Sequence, residues 1–161
     1  MEVVASTRGW VDSSASIRVT TACSGNSTVG DTLPTLTRSI TQEMINAYAE
    51  ATGDFNPIHV DPEYSRTGPF GRTIAHGLMT LAFVAQMLNE WSDGRFDACG
   101  EIDIAFVGPV FVGDTVEVTG SVEELVARDG ETCARVRLVC RAGERQILAG
   151  QALQPIENGK S

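Results

Sequence analysis

Two side chains suited to proton transfer, with an amide between them, stand within six residues of this chain. Asp54 supplies a carboxylate, Asn56 an amide and His59 an imidazole, and the second histidine, His76, stands just before Gly77 in another short motif. A carboxylate and an imidazole on one loop can both reach one water molecule, which is the basis of general acid–base catalysis. The simpler alternatives are a turn residue for Asp54 and a core position for His59. Asn56 either orients the pair or marks a turn with the proline that follows it.

The second motif stands at the start of the most apolar segment of the chain, for which the composition predicts a helix over residues 74–91. Apolar residues occur on every side of this helix, so we expect it to be buried on most of its surface. N–H groups in a first helical turn lack intrahelical partners and favour negative charge, which makes the Gly77 N–H a candidate anion site. Alternatively, the glycine allows close packing. We place His76 among the substrate-binding residues, in a structural role rather than as a proton carrier.

The elements around these motifs predict an α+β fold. Thr41 is suited to cap the start of a helix over 42–52, and Gly53 is suited to end it, which places Asp54 just beyond the helix. Alternating apolar and polar residues predict strands, and the last three are separated by turn sequences. The predicted strands span residues 33–40, 102–106, 115–125, 132–141 and 146–154. This order predicts a long helix lying in a curved antiparallel sheet.

Composition restricts the possible partners. The net charge of −9 argues against binding to nucleic acid or to a membrane surface, because both are anionic. The N-terminus lacks a basic and apolar leader and no apolar run could cross a bilayer, so we expect a cytoplasmic protein. The four cysteines show no spacing typical of metal ligands, and we expect neither a disulfide nor a metal site. We predict a partly ordered extension over 1–28, one domain over 29–156 and a tail over 157–161.

Three stretches together resemble a known family. They are the segments 53–62 (GDFNPIHVDP), 74–79 (IAHGLM) and 106–114 (FVGPVFVGD). They resemble the MaoC-like, (R)-specific enoyl-CoA hydratases, and the resemblance extends from about residue 29 to residue 155. It implies the hot-dog fold, a homodimer with one continuous sheet, and a tunnel for an acyl thioester at the subunit interface. Coenzyme A would be part of the substrate, so no separate cofactor is expected.

The resemblance also implies roles for single residues. Asp54 and His59 match the catalytic acid–base pair, Asn56 matches the residue that orients this pair, and Gly77 matches the residue whose N–H stabilises the thioester oxyanion. The chain departs from some members of the family at Ala85, where they carry a small hydroxyl residue.

Two arginines flank the loop before the long helix. Arg66 and Arg72 could bind the phosphates of a coenzyme A thioester, and the alternative is that both are solvated loop residues. The implied reaction is the reversible hydration of a trans-2-enoyl-CoA thioester to an (R)-3-hydroxyacyl-CoA thioester, or its reverse. The alternatives are a dehydratase that acts on intermediates bound to an acyl-carrier protein, and a non-catalytic subunit that binds acyl thioesters or pairs with another chain.

Overall fold

A computed structural model describes residues 27–156 as one five-stranded antiparallel sheet with five helices. The elements are β1 (Leu36–Ser39), α1 (Gln42–Thr52), α2 (Pro57–Val60), α3 (Pro62–Arg66), α4 (Gly77–Trp91), α5 (Phe96–Cys99), β2 (Glu101–Phe106), β3 (Thr115–Arg128), β4 (Glu131–Ala142) and β5 (Arg145–Ile156). The predicted α+β class is confirmed. The predicted tail and all but the last two residues of the predicted N-terminal extension lie outside the described range.

The sheet has the strand order β1-β3-β4-β5-β2, and all of its pairings are antiparallel. β3 and β4 are joined by Asp129 and Gly130, both of which have positive φ angles (53° and 84°). Two such residues form the tight turn whose twist matches that of a hairpin. Alternate residues of β4, from Ala134 to Ala142, are buried on the face that packs in the core with α4.

The start of α4 differs from the prediction. The helix begins at Gly77 rather than at residue 74. Ile74 instead forms an isolated antiparallel bridge with Phe111, and the Ala75 N–H donates to the Val110 carbonyl at 2.8 Å. Residues 74 and 75 are therefore extended, and the apolar run from 74 to 91 combines a short bridging segment with a helix.

The burial of α4 also differs from the prediction. One face packs into the core and is formed by Met79, Thr80, Phe83, Val84, Met87 and Leu88. The opposite face is open in the single chain, where Ala82 is exposed and Leu78 retains 62% of its accessible surface. The prediction of burial on most sides is therefore wrong for the isolated chain. An exposed apolar face of this kind indicates a contact surface.

The caps of α1 follow the prediction. The Thr41 hydroxyl accepts a hydrogen bond from the Met44 N–H at 3.3 Å, and Gly53 ends the helix with φ 76°. The Gly53 N–H donates to the Ala49 carbonyl at 2.8 Å. Because a left-handed residue turns the chain sharply after the last helical turn, Asp54 begins the loop that carries the acid–base motif.

β2 lies at one edge of the sheet and pairs only with β5 among the described strands. Phe106 and Val107, at its end, are 46% and 57% exposed. An unpaired edge beside exposed apolar side chains can pair with another strand. Within residues 27–156, no helix is long and apolar enough to span a membrane.

Cys133 and Cys140 are both buried thiols on β4, and they lie on opposite faces of the sheet, as their odd separation predicts. Cys140 belongs to the core, and its burial raises the pKa of the thiol to about 11. A thiol with such a pKa remains protonated and unreactive at neutral pH.

Candidate active site

Two hydrogen bonds, one from His59 and one to its neighbour Ile58, join the motif loop to the segment that precedes α4 and position His59. Its Nδ1 lies 2.8 Å from the Ile74 carbonyl oxygen, and the Ile74 N–H donates to the Ile58 carbonyl at 3.1 Å. A carbonyl oxygen can only accept, so Nδ1 must carry the proton that is donated. In the neutral ring, the proton is then on Nδ1 and Nε2 holds a free lone pair. The buried His59 ring is therefore oriented as a base.

Asn56 positions the loop mainly by capping α2. Its side-chain oxygen accepts from the Ile58 N–H at 3.2 Å, and its own N–H donates to a carboxylate oxygen of Asp54 at 3.3 Å. Side-chain caps of this type hold short turns in one conformation. Asn56 thus orders the backbone on both sides of the motif. Its side chain caps α2, and its backbone N–H, rather than its side chain, contacts Asp54.

The carboxylate of Asp54 and the ring of His59 are close together. One ligand atom each from Asp54, His59 and His76 lie within 4.8 Å of one another. The side chain of Asp54 is 54% exposed, so solvent reaches it. Since each hydrogen bond to water spans about 2.8 Å, one water molecule can bridge two groups at this separation. The predicted proximity of the acid and the imidazole is therefore present.

His76 lies behind this pair and is only 2% exposed. Its Nε2 donates to the backbone carbonyl of Asp54 at 2.9 Å, and its ring stacks on the His59 ring with 3.8 Å between centroids. Tyr48 packs against its other side at 4.9 Å. The position of His76 fits the structural role expected for it and does not fit direct binding of substrate, because it supports both members of the pair from within the protein.

The same three residues could in principle ligate a metal ion, but their orientation does not favour it. The rings of His59 and His76 are stacked and inclined by only 29°, so their lone pairs lie in nearly parallel planes, which disfavours one shared ligand position. Nδ1 of His59 and Nε2 of His76 also donate to backbone carbonyls. Tetrahedral coordination requires nitrogen atoms that point towards the metal. The arrangement is better suited to moving a proton.

Gly77 is the first residue of α4, and its N–H has no intrahelical partner. A Cβ built on Gly77 would lie 3.5 Å from the Phe106 ring, which is an ordinary contact, and its φ is not positive. Neither packing within the chain nor backbone conformation therefore requires a glycine here. A remaining reason for glycine is the access of a ligand to the Gly77 N–H, because a side chain at this position would stand beside that group.

A cavity of about 400 Å³ adjoins both His59 and Gly77. Its walls are mainly apolar and are formed by Phe70, Ile74, Ala75, Phe106, Val107, Gly108, Pro109, Val110 and Ile147, with the buried Thr80 on α4. A carbonyl oxygen held at the Gly77 N–H would place an attached acyl chain among apolar groups. This combination of an apolar pocket with few polar groups is typical of a small-molecule site.

Thr80 was not singled out from the sequence, although its position one turn after Gly77 places both on one side of the helix. Ala85, where some family members carry a hydroxyl, is partly buried and does not line the cavity. Thr80 is therefore the hydroxyl residue that α4 contributes to the cavity wall.

The two arginines that were predicted to bind phosphate have different surroundings in the structure. Arg66 forms an ion pair with Glu63, three residues earlier on α3. The Arg72 guanidinium lies over the Phe111 ring, 3.8 Å from its centroid, and forms no ion pair with any residue in the range 27–156. Arg72 keeps its charge available, whereas the charge of Arg66 is offset within the chain.

Known proteins are similar to this chain in sequence and in architecture. The chain is 35% identical over 118 residues to the 3-hydroxybutyryl-CoA dehydratase of Methylorubrum extorquens, a match that covers 73% of this chain and 74% of that protein. It is 44% identical over 87 residues to the 3-hydroxyacyl-thioester dehydratase Z of Mycobacterium tuberculosis, covering 52% of this chain and 58% of that protein.

The solved structure of the (R)-hydratase from A. caviae involved in PHA biosynthesis superposes with a TM-score of 0.71 at 26% identity, covering 82% of this chain and 98% of the other. The predicted hot-dog fold is thereby confirmed. The family model described as MaoC like domain matches residues 24–141. With the central helix, the sheet and the motif loop all in place, the chain belongs to the MaoC-like domain family.

Proposed function

We propose that this protein is a hydro-lyase that adds water to trans-2-enoyl thioesters and forms (R)-3-hydroxyacyl thioesters, or catalyses the reverse dehydration. The observation that carries this proposal is the position of the Asp54 carboxylate and the His59 imidazole within 4.8 Å of each other, with His59 and Gly77 lining the same cavity. The names of the relatives support it, because they include a dehydratase of a hydroxyacyl-CoA and an (R)-hydratase.

Each group has a role in the proposed reaction. A water molecule between Asp54 and Nε2 of His59 loses a proton to the pair while its oxygen bonds to C3 of the substrate. The electrons of the C2–C3 double bond move towards the thioester carbonyl, where the Gly77 N–H stabilises the negative oxygen. The pair then returns a proton to C2 on the same face, so no proton is gained or lost. Such acid–base assistance contributes about 10²–10⁴ in rate.

The site is open on the side where a second copy of the chain would close it. Leu78 is 62% exposed next to Gly77, and Phe106 and Val107 are exposed although they line the cavity. The free edge of β2 lies at the same place. These features support a homodimer whose two sheets join along β2.

Replacing Leu78 with Glu is expected to weaken this homodimer, because a charge would then have to be buried against the partner. Light scattering at micromolar concentration should show a dimer for the native protein and a shift to monomer for the variant. Leu125→Glu is the matched control, since Leu125 is 40% exposed on β3 and is separated from β2 by two strands. A native protein that is monomeric contradicts the homodimer.

Asp54→Asn and His59→Asn are each expected to lower kcat for hydration of crotonyl-CoA by about 10²–10⁴. Asparagine at 59 can still donate to the Ile74 carbonyl through a group near the position of Nδ1, but it lacks the base at Nε2. Asp61→Asn is the control, because asparagine can still cap α3. Loss of the enoyl absorbance measures the rate, and circular dichroism checks the fold. Near-native turnover in both site variants would refute the acid–base assignment, and tight binding without turnover in the native protein would support the non-catalytic alternative.

His76 can be tested with two amides of different reach. Glutamine places its nitrogen near the position of Nε2 and keeps the hydrogen bond to the Asp54 carbonyl, whereas the asparagine nitrogen reaches only the position of Nδ1. We expect His76→Asn to lower kcat by about tenfold or more while His76→Gln retains most of it, since a lost buried hydrogen bond costs about 1–3 kcal/mol. Steady-state kinetics separate the outcomes. A change in KM alone would instead assign His76 to substrate binding.

Gly77→Ala is expected to affect stability and activity in opposite directions. Alanine is favoured over glycine in a helix by up to about 1 kcal/mol, so the melting temperature should stay equal or rise. The added methyl group crowds the position of the thioester oxygen, and kcat should fall by about 10²-fold, the effect of a displacement of about 1 Å. Thermal unfolding and crotonyl-CoA hydration are measured on the same sample. Unchanged activity would show that the added methyl group does not crowd the thioester oxygen, which would count against its placement beside Gly77.

A further inference from the structure

Arg72, Phe111 and Arg145 form a stack of two guanidinium groups around one aromatic ring. The Arg72 guanidinium carbon is 3.8 Å from the ring centroid, and the Arg145 guanidinium carbon is 5.0 Å from it. Arg145 is fixed by Asp114 at 2.6 Å and by the Pro109 carbonyl at 2.7 Å. Arg72 makes no ion pair within the described part of the chain, so the contact with the ring is what orients it.

The stack lies next to residues that line the cavity. Phe111 directly follows Val110, which lines the cavity, and it bridges to Ile74, another lining residue. Arg72 stands between Phe70 and Ile74, both of which line the cavity, and Phe70 is 44% exposed. Arg72 therefore lies next to the cavity lining, while the lining itself includes neither Arg72 nor Phe111.

The charge of Arg72 is unusual in this acidic protein. Six arginines of the described range are ion-paired with carboxylates: Arg66, Arg95, Arg128, Arg135, Arg137 and Arg145. Arg38 donates to the Gln86 side chain and Arg141 to the Glu144 carbonyl. Within the range 27–156, Arg72 has neither an ion pair nor a hydrogen bond from its side chain. It also lies next to the cavity lining. An uncommitted guanidinium beside a cavity favours an anionic ligand.

We propose that Arg72, held against Phe111, binds a phosphate group of coenzyme A when the acyl thioester occupies the cavity; this inference rests on the proposed function. A guanidinium held over an aromatic ring still has N–H groups at its edge, and these can donate to two phosphate oxygens at once. The aromatic contact also restricts the side chain before binding, which lowers the entropy lost on binding.

Coenzyme A fits this surface better than an acyl-carrier protein does. Both carriers present a phosphate on a pantetheine arm, but a carrier protein adds an acidic surface that needs several complementary cations. The chain carries a net charge of −9, and the arginine nearest to Arg72 along the described chain, Arg66, is already paired with Glu63. One free cation suits a small ligand with clustered phosphates, and it would not offset the repulsion between two acidic proteins.

The test compares the crotonyl thioesters of coenzyme A, 4′-phosphopantetheine and pantetheine, which share the pantetheine arm; the second lacks the adenosine nucleotide of the first, and the third lacks phosphate altogether. Arg72→Ala is expected to raise KM for crotonyl-CoA by about tenfold with kcat unchanged, as for loss of a uniform binding contact. KM for the pantetheine ester, which lacks phosphate, should not change. The KM of Arg72→Lys for crotonyl-CoA should lie between those of the native protein and Arg72→Ala, because lysine keeps the charge but not the planar fork of donors. Arg141→Ala is the matched control and should behave like the native protein, since Arg141 is an exposed arginine that donates to the Glu144 carbonyl and has no part in the site.

The possible outcomes are distinct. An unchanged KM for crotonyl-CoA in Arg72→Ala, or an equal loss on the pantetheine ester, overturns the phosphate contact. A higher kcat/KM for the native protein on a crotonyl-carrier protein than on crotonyl-CoA overturns the choice of coenzyme A. If the native protein hydrates no thioester, the proposed function fails. Calorimetry with free coenzyme A then still decides the phosphate contact, through a Kd that is about tenfold weaker in Arg72→Ala or is the same in both proteins.

Discussion

The hydrogen bond from Nδ1 of His59 to the Ile74 carbonyl is the interaction on which the rest of the site depends. It fixes which ring nitrogen holds the proton, and it joins the motif loop to the segment that leads into α4. Gln42 of α1 reinforces this junction, because its side chain donates to the His59 carbonyl and accepts from the Thr73 hydroxyl. These bonds connect His59, the proposed base, to the segment that leads to Gly77, the proposed anion site. Preorganisation of this kind is a large part of what enzymes contribute to a reaction.

A second layer of contacts supports this junction. The loop around Asp54 has little packing of its own, since the carboxylate is half-exposed, and so its backbone relies on the hydrogen bond from His76. His76 in turn is held between the rings of His59 and Tyr48. The acid therefore depends on the same aromatic stack as the base, and the two are positioned as one unit rather than separately.

The sequence was sufficient to predict features set by local chemistry. Thr41 and Gly53 bound α1 because a hydroxyl cap and a left-handed glycine act within a few residues, and Asp129-Gly130 determined its hairpin in the same way. The proximity of Asp54 and His59 followed from their short spacing. The start of α4 was misplaced because Ile74 pairs with Phe111, 37 positions away, and apolar composition does not distinguish a bridge from a helical turn. The roles of His76 and Gln42, and the difference between Arg66 and Arg72, also depend on distant partners or on side-chain orientation.

Phe106 and Val107 occupy a position with two uses, since they form part of the cavity wall and also part of the exposed apolar surface at the end of β2. Under the proposed function, a change of side-chain volume at either residue reshapes the space for the acyl chain and, at the same time, the surface proposed to contact another copy of the protein. A substitution at either position is therefore expected to change both the acyl preference and the self-association of the protein. Variants selected for a longer or shorter acyl group are expected to come from the deeper wall, around Thr80 and Ile147, where the lining is buried within a single chain.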